Sequence, residues 1–164
     1  MNRSVSLWQA ALLVSFLMSV LPAAQASEET SAATHPQVLI ASHRGSVSHA
    51  PENTLAAFRW AESIGADLVE ADLRVAKDGS LVVIHDARVN RTTNGRGEVR
   101  RLPLTALKAL DAGDGELIPT IEETLAFVRS SRIQLLLDVK DSRGIDAEAL
   151  VAALAQQRVA DQVL

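Results

Sequence analysis

The chain has 164 residues, no cysteine, 3% aromatic residues and a formal net charge of −4. A mildly acidic chain without a basic run or tyrosine lacks both the electrostatic footprint and the stacking platforms of nucleic-acid binders. Without cysteine it forms no disulfide, and it needs none even in an oxidising compartment.

Met1–Ala26 carries Arg3 as its one charge, an apolar run from Leu7 to Leu21, and then Ala24-Gln25-Ala26 as a small-x-small site. This is the pattern of a secretory signal peptide. The apolar run falls short of the ~20 residues of a spanning helix, and no cysteine follows it to take a lipid. The expectation is an exported chain, periplasmic or secreted, with no stable membrane anchor. Residues 27–37 read as a polar leader.

Val38–Ser42 reads as a short buried strand that runs into His43-Arg44-Gly45. From Pro51, cap-type residues lead into Leu55, Phe58, Ala61 and Ile64 at helical spacing, and Gly65 stops the helix. Glu52 and Asn53 serve there either as caps or as partners of a site nearby. The strand Asp67–Leu73 follows at once, so strand, helix and strand form a βαβ unit. Its parallel strands place His43 and Glu70/Asp72 on one rim.

Glu70 and Asp72 are two apart on a strand, so their side chains leave the same face and repel unless a cation joins them. Asp78-Gly79 suits a two-residue primed turn, which predicts that Leu73–Lys77 folds back on Ser80–Ile84. In that register Lys77 faces Ser80, Val75 faces Val82, and Asp72 arrives opposite His85.

Ala87–Gly115 reads as loop, with a turn at Arg91–Gly95 and at most a short helix within Leu104–Leu110. Pro119–Arg129 is predicted to be a second helix opened by a Thr120/Glu123 capping box. The third strand, Ile133–Val139, brings Asp138 and Lys140 to its end on one face. A third helix, Asp146–Gln157, precedes Gln162–Leu164, which reads as the opening of a fourth strand. Alternating strands and helices predict an α/β fold, and polar residues at strand C-termini mark the active face of a (β/α)8 barrel. A complete barrel takes roughly 250 residues, so the chain is expected to hold about three and a half of the eight units.

Seven motifs in order then carry a resemblance: His43-Arg44-Gly45; Pro51-Glu52-Asn53-Thr54; Gly65-Ala66-Asp67 with Glu70-x-Asp72; Asp78-Gly79 with Val83-Ile84-His85-Asp86; Arg91-Thr92-Thr93; Ile118-Pro119-Thr120 with Glu122-Glu123; and Asp138-Val139-Lys140. From about Leu39 onward the chain resembles the N-terminal part of the glycerophosphodiester phosphodiesterases. The resemblance implies a TIM barrel of the phospholipase-C-like phosphodiesterase type, truncated here, with a family insertion at about residues 75–118. It implies hydrolysis of a small-molecule glycerophosphodiester to glycerol 3-phosphate and an alcohol, with His43 and His85 as the general acid/base pair. Glu70, Asp72 and Asp138 would hold a divalent metal, Ca2+ or Mg2+, and Arg44 would contact the phosphate. The family's third metal position is most often glutamate, and Asp138 stands there.

That chemistry suits these groups. A hard divalent ion on oxygen ligands offsets the negative charge of a phosphodiester. One imidazole takes the proton of an attacking hydroxyl while the other protonates the departing oxygen. Lys140, on the face of Asp138, offers a point charge to the phosphate, as Arg44 offers a fork. Two other readings share the motifs: a lysophospholipase D or sphingomyelinase D-like phosphodiesterase on the same scaffold, and a non-catalytic truncated fragment. For the 164-residue chain by itself, the expectation is poor solubility and no activity.

Overall fold

One strand, β2 (Leu68–Val75), organises the sheet, and its neighbours divide its two edges between them. A computed structural model describes residues 38–140 and 144–164; the expected signal peptide and leader lie outside the described residues. β1 (Ala41–Ser42) and the three-residue β3 (Leu81–Val83) precede and follow β2, and β4 (Gln134–Val139) comes later in the chain. β4 pairs in parallel with β2 from Leu68 to Leu73. The opposite edge is shared: β1 takes Leu68 and Val69 in parallel, and β3 takes Leu73–Val75 antiparallel. Between them, Glu70–Asp72 has no strand partner on that edge, and the site forms at this gap.

Alternation along β2 separates two environments. Val69, Ala71 and Leu73 are fully buried and pack with Phe58, Ala61, Ile121, Leu125 and Leu135 in the main core. Burying a side chain such as Phe58 or Leu125 is worth roughly 1.5–3 kcal/mol. Leu135 comes from β4 and the other partners from α1 (Leu55–Ser63) and α3 (Ile121–Ser130), whose apolar residues recur at helical spacing. Thr54 caps α1 by accepting from the Ala57 N–H, and Thr120 and Glu123 form the expected capping box of α3.

The chain from Ala87 to Gly115 is more ordered than a loop. It contains a 3-10 turn at Val99–Arg101 and a four-residue helix, α2 (Leu104–Leu107). Val89, Val99, Leu107, Ala112 and Ile118 pack with Val82 and Ile84 into a second, smaller core. The spaced, single apolar residues of this stretch carry neither a helical nor a strand period, so its packing is decided by tertiary contact.

α4 (Ala147–Gln157) follows, and Val163 then bridges in parallel to Leu135, the start of the expected next strand. No described helix is long and apolar enough to cross a membrane. Two expectations are corrected. Val38–Ser42 is not buried: Val38, Leu39 and Ile40 are exposed, because nothing among the described residues covers the outer edge of β1.

The hairpin register is also one residue off the sequence-based pairing. Leu73 faces Val83, Arg74 faces Val82 and Val75 faces Leu81, so Asp72 meets Ile84, whose N–H donates to the Asp72 carbonyl at 2.8 Å. The loop has three residues, Lys77-Asp78-Gly79. Gly79 N–H donates to Ala76 O at 3.1 Å, Ala76 N–H donates to Ser80 O at 2.8 Å, and Gly79 stands at φ 85°. This is the turn-plus-bulge hairpin, in which the glycine supplies a single left-handed residue.

Candidate active site

Register fixes the acids. Asp72 and Asp138 are direct partners across β2 and β4, with Glu70 two residues back on the same face of β2. One carboxylate oxygen from each of the three lies within 4.8 Å of the others. Asp72 is fully buried, Glu70 nearly so, and Asp138 is exposed.

The loop after β1 supplies the next groups. Arg44 (φ 55°) and Gly45 (φ 75°) both take left-handed backbone. That bend aims the Arg44 N–H at Glu70 Oε2, 2.8 Å away. Gly45 is required twice over, since a Cβ there would sit 2.6 Å from Phe58 Cδ1 and 2.8 Å from the Ala57 carbonyl carbon. His43 remains exposed, its Nε2 4.0 Å from Glu70 Oε2.

Arg44 is mostly buried, donating through Nη1 to Glu52 Oε1 at 2.9 Å, with its Nε 3.5 Å from Asp72 Oδ2. Asn53, also left-handed at φ 58°, donates to Asp72 Oδ2 at 2.6 Å and accepts from the Asp72 N–H at 3.2 Å. The Asn53 side chain thus fills the strand gap on β2. Thr54 is the cap of α1, so Glu52 and Asn53 serve the site.

His85 leaves β3 by two residues and is half-buried. Its Nδ1 pairs with Asp86 Oδ1 at 2.7 Å, and its carbonyl accepts from Arg74 Nε at 2.8 Å. The Asp86 carboxylate accepts a hydrogen bond from Nδ1–H, which leaves Nε2 as the ring nitrogen open to a reacting group. Arg91 grips Asp86 through Nε and Nη2 and Glu52 through Nη1 and Nη2, at 2.8–3.0 Å. Glu52 therefore joins the guanidinium beside His43 to the one behind His85. Asn53, expected either as a cap or as a partner of the site, is the partner. Asp86 and Arg91 had no assigned role of their own in the sequence, and their opposite charges five residues apart are the signal available.

Electrostatics follow from these contacts. Arg91 holds the Asp86 carboxyl far below the usual carboxylate range, with His85 adding to it. Bonding to Arg91 lowers Glu52 as well, against burial. Burial pushes Glu70 up; the Arg44 N–H opposes this and the Asp72 charge reinforces it. Burial also pushes Asp72 up, but the Lys140 ammonium and the Asn53 amide outweigh it, and the carboxyl stays low.

The acids fit a hard cation. Asp72 Oδ1 is buried with no aligned hydrogen-bond donor, and the Arg44 Nε–H is buried with no aligned acceptor. Lys140 Nζ lies 2.9 Å from that oxygen without hydrogen-bond alignment and bonds Asp138 Oδ2 at 2.5 Å. An ammonium thus sits between two of the three acids and supplies positive charge there. Three carboxylates of this spacing, with one oxygen unsatisfied, match an all-oxygen divalent site.

Two histidines, three clustered acids and two cations thus stand at the strand ends of a partial βα barrel. Residues 43–162 match the sequence profile of the glycerophosphoryl diester phosphodiesterase family, and the chain belongs to that family. A glycerophosphodiester phosphodiesterase of Caldanaerobacter subterraneus subsp. tengcongensis is 38% identical over 139 residues, covering 78% of this chain and 57% of the relative. One from Bacillus subtilis is 31% identical, covering 96% and 59%. Among solved structures, a glycerophosphodiester phosphodiesterase from Agrobacterium tumefaciens aligns with a TM-score of 0.71 at 34% identity, over 77% of this chain and 56% of that one. An Oleispira antarctica phosphodiesterase, solved with the product sn-glycerol-3-phosphate, aligns at 0.68 and 37%, over 73% and 53%. The chain spans a little over half the length of these relatives. The fold is the TIM barrel of this family, present here in part.

Proposed function

We propose that this chain carries the phosphate-cleaving half of an enzyme that hydrolyses glycerophosphodiesters to glycerol 3-phosphate and an alcohol. The observation that carries the reading is the register pairing of Asp72 with Asp138, which gathers three acids within 4.8 Å in a chain of this family. The product bound in the Oleispira antarctica relative supports glycerol 3-phosphate as the product class.

Glu70, Asp72 and Asp138 would hold a divalent ion, Ca2+ or Mg2+, which when bound supplies charge neutralisation at the phosphoryl oxygens. Arg44 and Lys140 add positive charge beside those oxygens. His43, neutral, accepts the proton of the attacking hydroxyl; His85, entering the step doubly protonated with Nδ1–H on Asp86, delivers its Nε2 proton to the departing alkoxide. Each transfer is worth typically ~10²–10⁴ in rate. Asp86 keeps the His85 proton inventory in order by engaging Nδ1.

The test is release of glycerol 3-phosphate from glycerophosphocholine, with Mg2+ or Ca2+, by a complete barrel that contains this chain, beside lysophosphatidylcholine as the lipid alternative; the 164 residues by themselves are expected to be inactive. His43→Ala and His85→Ala should abolish turnover and leave calorimetric metal binding intact. Glu70→Ala or Asp72→Ala should lose both, and near-normal rates in the His85 variant would sink the acid/base assignment. A second reading, phosphate binding without turnover, is favoured by the half-exposed Leu136 and Val139 on β4, whose neighbours in a closed barrel are absent among the described residues. Binding of glycerol 3-phosphate without release of product would select it. Export is proposed from Arg3, Leu7–Leu21 and Ala24-Gln25-Ala26, and N-terminal sequencing of the secreted product checks cleavage after Ala26.

A further inference from the structure

A cleft of about 710 Å³ opens beside the hairpin, lined by Arg74, Lys77, Arg88 and Arg100 with Glu98 as its one acid. Its floor is Val75, Ala76 and Val99, and none of the seven candidate site residues lines it. The sign is the reverse of the chain's: four cations against one anion, in a protein of net charge −4.

The lone Glu98 is oversubscribed. Its Oε2 takes Arg100 Nε at 3.0 Å and Arg101 Nε at 3.1 Å, while Oε1 lies 3.6 Å from Arg88 Nη1. One carboxylate does not neutralise three guanidiniums, so a surplus of positive charge faces the cleft. Arg74 is half-buried; its Nε is spent on the His85 carbonyl, and no partner among the described residues engages its two terminal nitrogens. A guanidinium held by one nitrogen with its fork open is suited to a planar oxyanion.

The cleft is also contiguous with the catalytic rim. Arg74 follows Asp72 by two residues on the same face of β2, a separation of roughly 7 Å along a strand, and it touches the backbone of His85. Beside Gly79 there is open space where a side chain would stand, so the cleft is accessible from the hairpin tip.

We propose that this cleft is a subsite for a second anionic group on the substrate, a phosphate carried by the alcohol that leaves. The proposal rests on the reading of the neighbouring site as a glycerophosphodiester phosphodiesterase. It assigns Arg74, Arg88 and Arg100 to headgroup choice, while the scissile phosphate stays with the acids and histidines.

The experiment is an amide NMR titration of the 15N-labelled His43→Ala chain, which spares both ligands from cleavage. The probes are glycerophosphoglycerol and the same compound bearing a terminal phosphate. The phosphate-bearing probe should shift the amides of residues 74–79 and 98–100 and bind about fivefold tighter, a margin in the range of partly exposed ion pairs. The Arg88→Gln/Arg100→Gln double variant should bring the two affinities together while its melting curve stays unchanged. Equal affinities, a preference that survives the double substitution, or no shift at those amides would overturn the subsite. Cleavage assays with a complete barrel that contains this chain separate this from the activity: a preference with no cleavage there upholds the anion-binding cleft and removes the hydrolytic reading.

Discussion

Asn53 grips Asp72 at two points: its Nδ2 donates to the carboxylate at 2.6 Å, and its Oδ1 accepts from the Asp72 backbone N–H at 3.2 Å. One amide therefore replaces the missing strand on β2 and fixes the central acid of the site. Asn53→Ala would leave a buried N–H and a buried carboxylate oxygen unpaired. The expected loss is about 1–3 kcal/mol for each group left unsatisfied, read by urea denaturation, together with weaker Mg2+ or Ca2+ binding by calorimetry. Unchanged stability and metal affinity would show that the strand gap is satisfied by other means.

Asp86 directs His85 through the 2.7 Å contact to Nδ1. Asp86→Asn keeps the size of the side chain but offers no charge to the ring, so kcat is expected to fall by about 10²–10⁴ with KM little changed. Product release measured under saturating glycerophosphocholine checks this, and 15N histidine spectra should report a shift in the His85 tautomer.

Acid should withdraw the stability that the Arg91 network contributes. The folded Asp86 carboxyl lies far below its ordinary value of 3.8, and Glu52 lies below 4.5, each held down chiefly by Arg91. A depressed carboxyl contributes stability that is fully present above the unfolded pKa and is lost as pH falls through the folded one. Thermal melts should therefore be level in this respect above pH ~5 and decline below pH ~4. In Arg91→Gln the decline should be shallower, because both carboxyls then titrate nearer their ordinary values.

Two glycines with the same backbone sign should respond differently to alanine. Gly79 (φ 85°) has open space around it, so Gly79→Ala bears conformational strain alone, about 1 kcal/mol. Gly45→Ala adds contacts at 2.6–2.9 Å with Phe58 and Ala57 in the main core. Overpacking of that kind costs a further 1–3 kcal/mol or so, and the His43–Arg44 loop must shift. Denaturation midpoints of the two variants, compared side by side, test the difference.

Local rules made much of this protein legible in its sequence. The Thr120/Glu123 box, the helix through Leu55, Phe58 and Ala61 and the alternation of Glu70 and Asp72 all depend on neighbours within a few residues, and each stands as expected. The hairpin failed at its register because Asp78-Gly79 suits both a two-residue and a three-residue loop. The choice between them rests on how Val82 and Ile84 pack into the smaller core. Arg91 could not be read at all: its partners Glu52 and Asp86 lie 39 and 5 residues away, and only the fold brings them to one guanidinium. The sequence by itself determined the chemistry available, three acids, two histidines and their cations. Tertiary structure alone decided which of them meet, because side chains distant along the chain find one another only where strand register and burial leave no other partner.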